Sequence, residues 1–370
     1  LATLLLLGGG HAHMTTLAKL HHFIAAGHQV IVVQPSDYHY YSGMGPGMLG
    51  GTYEPEDIRF NTRKIVEKQG GTFIKNTAVA IDSGNRRVTL GDGSVIVYDR
   101  LSCNVGSYVP LTSVTGQEES LIPAKPIEKL AAARKNIVNR LMYADLNIAV
   151  IGGGPSAIEI AGNLRQLADS QGGHRLKISI FCGRTLLPGS SEWLQKRAAA
   201  MLEVRTIKIH YNSHVTGVHD GEIRLEDDTR QRFDLVFAAM GVKPSLLFRD
   251  SGFDTDADGA LKVNRFLQSV ESAEIFGGGD CVHFSPGPLD KVGVYAVRQN
   301  GVLLNNLRAS LAKTDLQPFN PGGGYLLIFN LGGGEGIFKK GPLKFSGSMA
   351  FKIKDYIDRK FIRRFKVLET

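Results

Sequence analysis

Apolar residues along this chain gather in short runs that end at glycine. Residues 4–7 read LLLL, stop at Gly8-Gly9-Gly10, and pass into HAHMTTLAKL, where apolar positions recur at helical spacing. An unbroken apolar run of this length, bounded by glycine, predicts a strand buried on both faces, and the segment after it predicts a helix. A second strand is predicted at 28–34 (HQVIVVQ), and a set of short strands follows, ending in VTLGDGSVIVYDRLSCNVGSYVP at 88–110. The whole pattern then recurs. Residues 148–161 (IAVIGGGPSAIEIA) repeat 4–17 (LLLLGGGHAHMTTL), LKISIFC at 176–182 repeats the second strand, and IRLEDDTRQRFDLVFAAMGVKP at 223–244 repeats the closing phrase. In that register Asp99 matches Asp234, Gly106 matches Gly241 and Pro110 matches Pro244.

Two copies of strand, glycine turn, helix, strand and meander predict an α/β protein with two nested Rossmann-like dinucleotide-binding domains, each a three-layer ββα/βα unit. After Pro244 no third helix-rich unit begins, so the chain is expected to return to the first sheet. This gives a discontinuous first domain at 1–110 and 264–325, an inserted second domain at 111–263, and a C-terminal β/helical segment at 326–370.

Each glycine loop carries chemistry. In the first, Gly8 permits a tight turn and Gly10 lets backbone approach a pyrophosphate, with the amides around His11 and Ala12 at a helix start. His13 stands where a third glycine usually falls, which widens the helix–strand packing without removing the anion site. His11 and His13 form an H-x-H pair, but no cysteine or acidic cluster joins them, so no metal is expected. Gln34 ends the second strand, where an amide can bond ribose hydroxyls in place of the usual acid. The second loop has Gly152, Gly154, Pro155, Ser156 and an allowed Ala157, with Glu159 on the first helical turn as either a helix-start charge or a cofactor residue. Its strand-end acid is also missing: Cys182 stands there, followed by Gly183 and Arg184, a combination that suits a 2′-phosphate and keeps NADPH in play beside NADH.

Charge changes the picture only at one end. Of a net +8, the stretch 339–370 holds ten Lys or Arg against three acids, so the body is nearly neutral and nucleic acid is not an expected partner. The three cysteines, Cys103, Cys182 and Cys281, lie far apart and form no C-x-x-C pair, a usage that fits a reducing compartment.

The nested loops, with LSCNVGS, FAAMGVKP and IFGGGDC, resemble the two-dinucleotide-binding flavoproteins of the pyridine nucleotide-disulfide oxidoreductase superfamily. GGGHAH, YSGMGPGMLGGTY (41–53), KVGVYAVRQNGVLLNNLRASL (291–311) and KDYIDRKFIRRF (354–365) resemble its type II NADH dehydrogenase-like branch, including flavoprotein domains fused to selenide, water dikinase. The resemblance implies FAD on the first domain and NAD(P)H on the second. It implies that Asp280 bonds FAD, that Gly106 lies by the flavin with Gly241 its counterpart, that Val79 offers backbone to the adenine end, and that Lys291 leads into a helix facing the flavin. The branch's quinone-lining pattern reads Gly293-Val294-Tyr295-Ala296-Val297-Arg298-Gln299 here, matched only at its last glutamine; Tyr295 and Gln299 of this stretch, with Glu159 of the second loop, are the candidate catalytic residues. The redox cysteine pair of the disulfide reductases is absent. The expected activity is therefore hydride transfer from NAD(P)H to FAD and on to an acceptor, with a quinone foremost. A sulfide:quinone or disulfide oxidoreductase, and a low-turnover flavin-binding accessory or redox sensor in selenium metabolism, are the alternatives.

In AFKIKDYIDRKFIRRFKVL, Ile353, Ile357, Phe361, Phe365 and Leu368 share one helical face, with Lys352, Arg359, Arg363 and Lys366 opposite. No run is long enough to span a bilayer. The expectation is a helix lying on the inner face of the cell membrane, holding a cytoplasmic protein peripherally. Packing of the same stripe on the protein's own body or on a second subunit is the alternative.

Overall fold

The computed structural model describes residues 1–111, 120–172 and 175–369. Strand β1 (Thr3–Leu7) is fully buried at Leu4–Leu7 because it sits in the middle of a parallel sheet, which is why its sequence does not alternate. It pairs with β2 (Gln29–Gln34), to which β3 (Thr72–Lys75) adds. An antiparallel meander of β4 (Ala78–Asp82), β5 (Arg87–Leu90) and β6 (Val95–Val97) follows, before β7 (Arg100–Cys103) returns beside β1.

The second copy repeats this. After β8 (Leu121–Pro123) come β9 (Leu146–Ile151), helix α1 (Pro155–Ser170), β10 (Leu176–Phe181), helix α2 (Glu192–Glu203) and β11 (Lys208–His210). A meander of β12 (Val215–His219), β13 (Glu222–Leu225) and β14 (Arg230–Arg232) leads to β15 (Leu235–Ala238), and the sheet order is β8-β15-β9-β10-β11. The chain then adds β16 (Ile275–Gly277) to the first sheet, whose order becomes β16-β7-β1-β2-β3. The two sheets match strand for strand. They differ in where the outer strand comes from, after the insertion for β16 and before the second copy for β8. The passage from the first unit into the second crosses 112–119, outside the described residues. The strand Leu261–Val263 pairs in parallel with Val282–Phe284, just ahead of the 263/264 boundary.

Asp99 and Asp234, matched in the sequence, do the same work. The Asp99 carboxylate accepts from the Thr3 N–H at 2.7 Å and that of Asp234 from the Asn147 N–H at 2.8 Å, each closing the start of a central strand. The matched closing phrases meet directly, Ser107 opposite Pro244 and Tyr108 opposite Lys243 in an antiparallel pair.

Helix α3 (Gly293–Ala312) packs on the first unit, and the C-terminal segment follows as a three-stranded sheet, β17 (Leu327–Asn330), β18 (Gly336–Lys340) and β19 (Leu343–Gly347), ending in α4 (Ser348–Lys366). This segment bridges both units. On the second, Gly162 of α1 lies so close to the chain that an added Cβ would be 2.2 Å from the Leu331 carbonyl oxygen. The Asn330 N–H donates to Glu159 Oε1 at 2.8 Å, and Arg197 Nε donates to Ser346 Oγ at 2.6 Å. On the first, Tyr53 and Tyr41 donate to Asp355 and Asp358 at 2.8 and 3.1 Å, and Lys354 Nζ donates to the Gly43 carbonyl at 2.9 Å.

The apolar stripe of α4 accordingly faces protein, a correction to the lipid-facing expectation. Phe365 and Ile362 are buried, Phe365 meets the Phe60 ring at 6.0 Å, and Phe361 lies tilted against Tyr41 at 4.9 Å and stacks toward the His11 ring at 6.2 Å. Aromatic rings already present on the first unit supply a groove that the helical period alone does not reveal. Of the four basic residues placed on the opposite side, Lys366 turns back to donate to the Glu56 carbonyl, and Arg359, still partly exposed, pairs with Asp355 of the same helix at 2.9 Å. Lys352, Lys360, Arg363, Arg364, Tyr356, Val367 and the stripe residue Ile357 remain exposed. Among the described residues, no helix is long and apolar enough to cross a membrane.

Gly162→Ala is expected to lower stability by about 1–3 kcal/mol, because the extra methyl has only backbone to displace. Limited proteolysis should show the segment after Phe319 cleaved faster than in the unaltered chain, while cleavage within the two units stays unchanged.

Candidate cofactor cleft

The ends of β1, β2 and β7 and the start of α3 enclose a cleft of about 370 Å³. Of the sequence-predicted residues, Gly8, Gly10, His11, Gln34, Gly106, Asp280 and Lys291 form part of its wall. Gly8 has φ +82°, and a Cβ there would lie 2.2 Å from the Asn104 carbonyl oxygen. Gly152 repeats this in the second unit, with φ +125° and 2.2 Å to the Ala239 carbonyl oxygen. In both places only glycine allows the turn to press against the end of the neighbouring strand.

Other expected residues hold the cleft from behind. His13 is fully buried, its Nδ1 2.6 Å from the Gly8 carbonyl and its Nε2 2.8 Å from Ser102 Oγ. Burial lowers its pKa to about 4, so it is a neutral brace for the turn. Ala12 is buried under Gly278. The Gln34 amide is engaged within the protein: Oε1 accepts from the Gly9 N–H at 2.9 Å, and Nε2 donates to the Ser36 and Tyr38 carbonyls at 2.6 and 3.0 Å. It shapes the loop, where a bond to ribose was expected. Val79, expected to offer its backbone, is 51% exposed and does not line the cleft, whereas its neighbours Asn76, Thr77 and Ala78 do.

The candidate catalytic trio is not brought together. Gln299 is buried, and its Oε1 accepts from the Gly279 N–H at 2.7 Å, holding the turn that carries Asp280. Tyr295 packs against Tyr325 at 5.6 Å, with Arg298 above its ring at 5.7 Å. Glu159 lies where α1 meets β17 and α4, and burial raises its pKa to about 7 against the opposing pull of Lys354. None of the three lines the cleft.

Four further residues of the wall were not singled out from sequence. Lys125 Nζ donates to Asp280 Oδ2 at 2.9 Å and to Ser107 Oγ at 3.0 Å, and the Ser107 hydroxyl donates to the same carboxylate oxygen at 2.7 Å. Burial alone would raise the Asp280 carboxyl, but Lys125 holds it below the usual range. Lys291 Nζ adds a bond to the Asp280 carbonyl at 3.1 Å. His39 meets His11 edge-to-face at 5.0 Å, and burial, aided by Lys125, lowers the two to about 3 and about 4, leaving both rings neutral. Asn104 completes the set. Its Nδ2 and the Nε2 of His39 are buried in the wall with no hydrogen-bond partner. Buried polar atoms are nearly always paired, so these two call for a polar ligand. A side chain at Gly10 or Gly279 would collide with Asn104, at 2.8 and 2.7 Å. Glycine backbone, unpaired buried polar atoms and a cation beside an anchored carboxylate fit a dinucleotide pyrophosphate.

The second loop stands apart from this cleft, at the carboxyl end of the second sheet. Gly154, Pro155 and Ser156 open α1, with Pro155 and Ser156 exposed, and Gly241 has φ +91°. Cys182 is buried, its thiol donating to the His210 carbonyl at 3.6 Å, whereas Arg184 is exposed. The thiol therefore does not occupy the nucleotide-facing place expected of it.

Residues 2–300 match the family model described as pyridine nucleotide-disulphide oxidoreductase. The chain belongs to that family. It is 25% identical to a type II NADH:quinone oxidoreductase of Staphylococcus saprophyticus, over 82% of this chain and 81% of that one. Among solved structures, NDH2 from Plasmodium falciparum in complex with NADH superposes with a TM-score of 0.82 at 13% identity, covering 99% of this chain and 97% of that one. The sulfide:quinone oxidoreductase of Aquifex aeolicus gives 0.81 at 16% identity, covering 100% and 92%.

This family member carries no exposed thiol. Cys103, Cys182 and Cys281 are all free and buried, and burial pushes Cys182 and Cys281 up to about 11 and raises Cys103 well above the ordinary thiol range. Among the described residues, no group of three or more His, Cys, Asp or Glu side chains is placed to hold a metal ion.

The raised carboxyl of Glu159 has a stability consequence. The folded state binds its proton more tightly than the unfolded chain, so stability is highest below the ordinary carboxylate range and falls as pH rises toward about 7. Denaturant titrations between pH 5 and pH 8 should show a loss on the order of 1–3 kcal/mol that Glu159→Gln removes. Equal slopes for the two proteins would show that Glu159 titrates normally.

Proposed function

We propose that this chain is an FAD-dependent NAD(P)H dehydrogenase that passes electrons to a quinone. The observation that carries the reading is the duplicated pair of glycine turns, one opening into a cleft with unpaired buried polar atoms and the other free to take a second dinucleotide, with no thiol facing either. FAD, when bound, accepts a hydride and stores two electrons. The residues placed to hold it are Gly8–Gly10 and Asn104 at the pyrophosphate and Asp280, anchored by Lys125 and Ser107, nearer the flavin. Lys291 and the N-terminus of α3 add positive potential where reduction places negative charge. Neutral His11 and His39 line the cleft without adding charge. The nicotinamide supplies two electrons and one proton as hydride, and reduction of a quinone to quinol takes two electrons and two protons in all. Buried thiols held in their protonated form argue against disulfide or sulfide chemistry.

Anaerobic mixing of the yellow protein with reduced nicotinamide nucleotide should bleach the flavin, and added quinone should restore the colour. Joint replacement of Cys103, Cys182 and Cys281 by Ala or Ser should leave this reduction within about threefold. Loss of bleaching in a folded, flavin-loaded triple variant would return the reading to a thiol-dependent enzyme.

Membrane attachment is part of the same proposal, through the outward face of α4 that carries Lys352, Lys360, Arg363 and Arg364 beside Tyr356 and Ile357. Each basic residue near an anionic leaflet contributes about 1 kcal/mol, screened by salt. The full chain should sediment with anionic liposomes at low salt and be released at high salt, and replacing these four by Gln should abolish sedimentation. Retention of the unaltered chain in the supernatant would remove the membrane from the proposal.

A further inference from the structure

The second glycine turn and the loop after β10 form one surface. A Cβ at Gly153 would lie 3.0 Å from that of Cys182 and 3.1 Å from the Thr185 carbonyl oxygen, and the Leu187 N–H donates to the Gly153 carbonyl at 2.6 Å. A dinucleotide held on this turn lays its adenosine ribose over residues 182–185. A carboxylate in this place bonds the ribose 2′-hydroxyl and repels a 2′-phosphate, whereas an arginine accepts one. Here Cys182 stands at that position with its buried thiol turned away toward the His210 carbonyl, and residues 182–191 (CGRTLLPGSS) contain no carboxylate at all. Arg184 is exposed and makes no hydrogen bond or ion pair within the protein, so its guanidinium is free for a ligand. Beside it, the exposed His214 ring comes to 3.6 Å of the Cβ position of Gly183, and Gly183, lacking a side chain, leaves the space between them open.

We infer that Arg184, seconded by His214, binds the 2′-phosphate of NADPH and makes NADPH the preferred hydride donor. The inference rests on the reading that the second unit takes the reduced nicotinamide nucleotide. Guanidinium is suited to this because its planar fork meets phosphate with two parallel bonds. The residues act on nucleotide choice alone, since they lie at the adenosine end, away from the transferred hydride.

The test is anaerobic single-turnover reduction of the flavin-loaded protein by NADPH and by NADH, with 2′,5′-ADP and 5′-ADP as competing probes. NADPH should half-saturate at a concentration at least tenfold below NADH, and 2′,5′-ADP should compete better than 5′-ADP. Arg184→Ala should raise the NADPH value at least tenfold while leaving the limiting rate and the NADH value within twofold, and added salt should weaken NADPH more than NADH. NADH half-saturating at or below NADPH, or Arg184→Ala shifting both nucleotides alike, overturns the inference and leaves the dehydrogenase reading intact. Failure of both nucleotides to reduce the flavin overturns the two together.

Discussion

The close approach of a glycine turn to the end of the neighbouring strand is the constraint on which this molecule is built. At Gly8 the turn presses on the Asn104 carbonyl, and at Gly152 on the Ala239 carbonyl, each at a distance that no side chain tolerates. Because the turn is that tight, the helix start it feeds points over the carboxyl edge of the sheet and its free amides face outward. Everything that can bind a dinucleotide here follows from that placement. The braces differ between copies: Gln34 and His13 bond the first turn from behind, while the second rests on Cys182 and Thr185.

The C-terminal segment turns two similar units into one asymmetric protein. It touches α1 of the second through Gly162, Glu159 and Asn163, and the first through Tyr41, Tyr53 and the Gly43 carbonyl. The Lys354–Asp358 pair at its centre is nearly buried, at 2.8 Å, and satisfied by hydrogen bonds to Gly43 and Tyr41, the condition under which a buried ion pair is tolerated. Glu159 belongs to this junction, and its raised carboxyl reflects its burial there.

Within the cleft the charges are arranged to be neutral in sum but directional. Lys125 reaches from the start of the second unit to Asp280 and Ser107 of the first, so the same ion pair joins the units and orients the carboxylate. The two histidines are kept uncharged by burial beside that lysine. A phosphate or flavin entering this space meets fixed dipoles and the two lysines, Lys125 and Lys291, with little reorganisation needed.

Periodicity and repetition alone determined the nested architecture, the two glycine turns, the equivalence of Asp99 with Asp234, and the absence of a thiol pair. These features are local or self-similar, and the backbone conformations they need are carried by glycine and by short buried strands. Tertiary structure decided what depends on residues far apart in the chain. Lys125 meets Asp280 across 155 positions, and Phe361 reaches His11 across 350. The stripe of α4 could be read as apolar from its spacing, yet only the groove beside Tyr41 and Phe60 determines that it faces protein. Gln34, His13 and Gln299 were legible as polar residues at special places. Whether each touches a ligand or holds the loop that does is set by which partner lies within 3 Å, a relation that exists only once the chain is folded.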